Sequence, residues 1–103
     1  MNFSEAMDHL NQGHAISRDD WVPGDFIVKM PALNLPPFNT QSPGPRVNDR
    51  TAKWIGASTP LNCLPYIASC SYDFRWQPGW QPLQEDMFAQ DWNIYRLDPG
   101  SPA

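Results

Sequence analysis

Side chains that build active sites and metal centres are scarce in this chain. Its 103 residues include two histidines and two cysteines. His9 and His14 fall in no pattern for a catalytic triad or a metal site. Cys63 and Cys70 have no neighbours to complete a set of four ligands, so no metal is expected. There is no Gly-rich phosphate loop of the Walker or dinucleotide kind. No apolar run approaches the roughly 20 residues needed to span a bilayer. With no secretory signal either, the expectation is a soluble protein in a reducing cytoplasm, where a Cys63–Cys70 disulfide is disfavoured. Basic charge is also short, with 7 Lys and Arg against 11 Asp and Glu and a net charge of −4. That balance excludes a general binder of nucleic-acid polymers, which needs a basic face.

The charge is unevenly spread. Glu5, Asp8, Asp19, Asp20 and Asp25 face Arg18 alone in the first 28 residues, whereas Lys29, Arg46, Arg50 and Lys53 face Asp49 alone in the next stretch. An acidic protein of this kind still offers a small anion a locally positive lining. Aromatic residues make up 13% of the chain, including five tryptophans. They offset the modest core of a chain this short, which buries roughly 65% of its unfolded surface. Oligomerisation is expected to relieve the shortage further.

The local pattern predicts an α+β domain. Asn2 and Glu5 form a capping box, and Phe3, Ala6, Met7 and Leu10 follow at helical spacing up to Gly13. Ala15–Arg18 and Phe26–Met30 read as strands around a Val22-Pro23-Gly24-Asp25 turn. Residues 31–61 form a proline-rich loop, in which Arg46-Val47 and Ala52–Ile55 are candidates for short strands or an ordered flap. Leu64–Ser71 reads as a strand, and Tyr72–Trp76 continues or pairs with it. Pro82 is placed at the first position of a short helix reaching about Ala89, with Glu85 and Asp86 near its positive end. Trp92–Leu97 is the last strand. The sum is one domain over 1–97, a small antiparallel sheet of four to five strands with an N-terminal and a short C-terminal helix, and a mobile tail over 98–103.

No constellation here reads as an active site. Asp86 and Asp91 are the one candidate acid/base pair, and helix capping or a surface position explains each as well. A binding site for a nucleotide-like ligand fares better, because it needs flat rings for a base and donors for phosphates. Trp21 opens a Pro-Gly turn and Trp80 sits in another, odd places for core tryptophans; either contacts a ligand or plugs an apolar edge. Trp92 reads as core. Arg18 is the best-placed phosphate donor, with a salt bridge to Asp19, Asp20 or Asp86 as the competing reading. Tyr66 either points its hydroxyl into a cleft or packs, and Asn62 is a candidate for base-edge or ribose hydrogen bonds. The candidate ligand-binding set is therefore Arg18, Trp21, Asn62, Tyr66, Trp80 and Asp86.

Two stretches carry a resemblance. Met1-Asn2-Phe3-Ser4-Glu5-Ala6 leads to Arg18-Asp19-Asp20-Trp21, and Pro78-Gly79-Trp80-Gln81-Pro82 leads to Glu85-Asp86-Met87-Phe88-Ala89-Gln90-Asp91-Trp92. Together they resemble the second type of Thoeris anti-defence protein, a family of small phage proteins. Family members often have serine where this chain has Leu83, and leucine where it has Phe88. The resemblance implies a homotetrameric sponge that takes no cofactor and binds glycocyclic ADP-ribose made by TIR-domain enzymes without degrading it. It also implies, for some relatives, sequestration of CBASS cyclic dinucleotides. The alternatives are an enzyme that degrades the same signal and a protein-binding module for host takeover.

Overall fold

The computed structural model describes residues 1–96, so the tail at 98–103 lies outside the described residues. The chain forms two compact units, one from Met1–Met30 with Tyr66 onward, the other from Pro31–Pro65.

The first unit is a five-stranded antiparallel sheet with one helix on it. Helix α1 (Phe3–Asn11) begins as its sequence dictates. The Asn2 side chain accepts from the Glu5 amide at 2.8 Å, and the Glu5 carboxylate accepts from the Asn2 amide at 2.9 Å. These reciprocal bonds satisfy two of the amides a helix start leaves orphaned. Strands β1 (Ala15–Arg18) and β2 (Phe26–Met30) match their predicted bounds.

Between the two units' boundaries the prediction of a largely irregular loop gives way to ordered structure. The second unit pairs β3 (Leu33–Leu35) with β4 (Leu61–Cys63) and carries helix α2 (Asp49–Ile55). Ala52–Ile55 is thus helical, where a short strand or flap was expected. The reason is Asn48, whose side chain accepts from the Thr51 amide at 2.8 Å and caps the helix. Val47 is buried.

The first unit resumes with β5 (Tyr66–Cys70), β6 (Trp76–Pro78), α3 (Gln84–Phe88) and β7 (Trp92–Tyr95). Tyr72–Arg75 forms a turn in place of a strand, with Phe74 at φ 61°, in the left-handed region. Helix α3 starts two residues after Pro82, and Leu83 is its N-cap with no capping side chain. The Asp86 carboxylate accepts from the Leu83 amide at 2.7 Å, the half of a capping box that the third helical residue supplies, while the half a serine would supply is missing.

The strand order is β6-β5-β2-β1-β7. Alternation along the strands sends Ile16, Ile27, Ile67, Trp92 and Ile94 to one face. There they meet Ala6 and Leu10 of α1 and form the main core. Ala15, Phe26, Cys70 and Tyr95 occupy the other face, with Phe26 stacked on Tyr95 at 4.6 Å between ring centroids. One short helix does not cover five strands. Helix α1 lies against β1, β7 and part of β2, and so leaves the β5–β6 end of its face without a helical lid. Among the described residues, no helix is long and apolar enough to cross a membrane.

Candidate functional site

A pocket of about 390 Å³, within the size range of small-molecule sites, opens at the β5–β6 end of the sheet and also takes in Phe26, Cys70 and Trp76 of the opposite face. Ile27, Ser69 and Gln77 from the adjacent strands β2, β5 and β6 line it, together with Asp25, Arg75, Trp21 and Trp80. Register explains the grouping, since Ser69 lies opposite Ile27 on one side and Gln77 on the other. All three side chains therefore point to the same face.

The two tryptophans are set by the core behind them. Trp21 meets Trp92 edge-on at 5.2 Å and Trp80 at 6.1 Å. Trp80 meets Trp92 at 6.4 Å, with the planes at 90°. Trp92 is fully buried, and its indole N–H donates to the Asp86 carbonyl at 2.9 Å. Trp21 and Trp80 are each half-buried, one side against this core and the other toward the pocket. Tertiary packing thus reconciles the two readings of Trp21: it plugs an apolar edge and lines a cavity.

Arg18 and Asp86 serve the same frame from below. The Arg18 guanidinium donates to Asp86 and to Asp91, each at 2.8 Å. Asp91 also accepts from the Asp20 amide at 3.0 Å, and the Trp21 amide donates to the Arg18 carbonyl at 3.1 Å. The hydrogen bonds from Asp91 and Asp86 raise the Arg18 pKa above its ordinary value. The competing reading of Arg18, a salt bridge to Asp86, therefore describes its geometry. Held by two carboxylates, it fixes the turn that carries Trp21. The same pairing makes Asp86 and Asp91 an ion-pair scaffold, with Asp86 only 4% exposed.

Asp91 is held below the usual carboxylate range, chiefly by its hydrogen bond from Arg18. A depressed folded-state pKa stabilises the fold above the unfolded value of about 3.9 and loses that contribution as pH falls through the folded value. Thermal stability should therefore hold near neutrality and decline below about pH 4. Asp91→Asn should flatten this acid limb, measured as melting temperature against pH; an unchanged limb would show that Asp91 contributes nothing to it.

The remaining candidates stand elsewhere. Asn62 belongs to β4 of the second unit, opposite Asn34. Tyr66 opens β5 opposite Met30. Neither lines the pocket. Trp76, by contrast, does border the pocket, half-exposed and edge-on against Phe26 at 6.0 Å, whereas Trp54 on α2 is 81% exposed.

The profile of the Thoeris anti-defense 2-like domain matches residues 1–95. The chain belongs to the Thoeris anti-defense 2-like family. No curated protein matches it. The matched span takes in both units, α1 with its capping box, the Trp21 turn and the whole pocket of this Thoeris anti-defence domain.

Sequence reasoning missed Arg75, Asp25, Ser69 and Gln77. Arg75 is 86% exposed and paired with Asp73 at 3.0 Å, a solvent-screened contact of little strength. It is the cation at the pocket that remains free to turn toward a ligand. The signal that would have found it is alternation, because Arg75 and Gln77 are two residues apart on an edge strand and its approach. Cys70 also lines the pocket, where burial pushes its thiol pKa up, which disfavours the reactive thiolate.

Proposed function

We propose that the protein is a sponge, which binds a small cyclic nucleotide immune signal in the β5–β6 pocket and sequesters it without degrading it. The observation that carries this reading is the pocket itself, with Trp21 and Trp80 as flat walls and Arg75 as a cation held only by a solvent-screened pair with Asp73. Membership of an anti-defence family supports it. The ligand class of this pocket is glycocyclic ADP-ribose made by TIR-domain enzymes, and CBASS cyclic dinucleotides are a further class, taken at a separate place on the assembly. The assembly is a homotetramer acting in the cytoplasm of the infected cell.

Competition with a host effector asks for nanomolar affinity, about −12 kcal/mol. Each stacked face contributes roughly 1–3 kcal/mol, and each hydrogen bond to a charged group about 1.5–3 kcal/mol. Rigid indoles add little ordering cost, and burial between protomers supplies the remainder. Catalysis has no comparable support. The carboxylates that would serve as acid and base are both committed to Arg18.

The test is to incubate purified protein with glycocyclic ADP-ribose, denature it by heat and analyse the released small molecule. Intact ligand in stoichiometric amount is expected. A linearised product would replace the sponge with an enzyme that degrades the same signal. A protein-binding reading draws on exposed apolar side chains, Trp54, Leu64, Leu83 and Phe88. It would gain ground if no nucleotide raised the melting temperature, since ligand at 100 times its Kd should stabilise by about 2.7 kcal/mol.

A further inference from the structure

The pocket holds two opposite charges on different elements, and they constrain how a nucleotide lies in it. Arg75 stands on the approach to β6, and Asp25 immediately precedes β2. Asp25 forms no ion pair among the described residues. Its Oδ1 accepts from the Tyr72 amide at 2.8 Å, and its Oδ2 has no hydrogen-bond partner among them. The side chain is held in place by its loop. Gly24 has φ +100° and lies so close to Tyr72 that a Cβ there would come within 2.9 Å of the tyrosine Cβ. The turn is thereby pinned against the β5–β6 connection, and Asp25 with it.

A carboxylate is an unfavourable neighbour for phosphate, because like charges brought together at a binding surface lower affinity. It favours a donor instead. An ionised carboxylate offers about four acceptor sites, of which Tyr72 uses one, and the remainder suit a pair of adjacent hydroxyls. Within the sponge reading, we infer that Asp25 is the specificity-determining residue of the pocket: it accepts from free ribose hydroxyls, while Arg75 takes the pyrophosphate. The ligand then enters in one direction. Nucleotides whose sugar hydroxyl at this position is phosphorylated or bonded are turned away.

Asp25→Asn tests this by the sign of its effect. The amide oxygen keeps the bond from the Tyr72 amide, so the melting temperature without ligand should stay unchanged. Were charge acting only through the general field, loss of a negative charge would tighten binding of any anion. Acceptance from ribose hydroxyls requires the reverse. In calorimetric titration with glycocyclic ADP-ribose, Asp25→Asn should bind about tenfold more weakly than wild type. Arg75→Gln should weaken binding as well and reduce its salt dependence. Should Asp25→Asn melt early, Asp25→Ser, which keeps a short acceptor near the Tyr72 amide, is expected to show the same loss. Equal or tighter binding by the folded variant overturns the role of Asp25 and leaves the sponge standing. Failure of the wild type to bind this nucleotide removes the sponge reading and the role together.

Discussion

Replacing Asp86 with alanine should cost about 3–5 kcal/mol, the loss typical of breaking a buried ion pair from one side. The carboxylate meets the Arg18 guanidinium and the Leu83 amide at once. Its removal leaves a largely buried guanidinium with Asp91 alone and strips α3 of the bond that starts it. At 4–8 °C per kcal/mol for a domain of this size, melting should fall by more than about 12 °C. That is a large part of the roughly 5–15 kcal/mol that keeps a small domain folded. Asp86→Asn keeps an acceptor for Leu83 but not the charge, and should fall between alanine and wild type. Circular dichroism melts decide this, and a drop under about 4 °C for alanine would mean that Asp91 alone satisfies Arg18.

Trp21→Ala should weaken binding of glycocyclic ADP-ribose at least tenfold, through the stacking lost from one wall of the pocket. The same substitution should lower stability, because the ring also packs against Trp92 and Trp80. Binding must therefore be read by calorimetry well below the variant's own melting temperature. Trp80→Ala is the companion, removing the other wall. Unchanged affinity in a folded Trp21→Ala protein would move the ligand away from this pocket. Loss of folding altogether would make Trp21 a core residue first, and Trp80→Ala would then carry the test of the site.

The sequence was most legible where local signals act alone. The Asn2–Glu5 box sets the start of α1, and short apolar runs bounded by Gly13 and the Pro23-Gly24 turn mark β1 and β2. Family membership was also readable, from short motifs at both ends of the chain. Legibility failed where a distant partner decides. Ala52–Ile55 is a miss of a nearer kind, since the capping signal at Asn48 stands only four residues upstream. Arg18 reads either as a phosphate donor or as a partner of Asp86, and folding, which brings up Asp91 as well from the far end of the chain, decides for the pair. The pocket itself has no linear signature. It exists because one nine-residue helix covers part of a five-stranded sheet, and that is a fact of area and register.

The packing of Trp21, Trp80 and Trp92 has an optical consequence. Three indoles within 5.2–6.4 Å of one another are close enough for their electronic transitions to couple. The near-ultraviolet dichroism of the native protein should carry their joint signature. Two of the three border the cavity and the third anchors the interior, so one spectrum reports both occupancy and integrity without any attached dye.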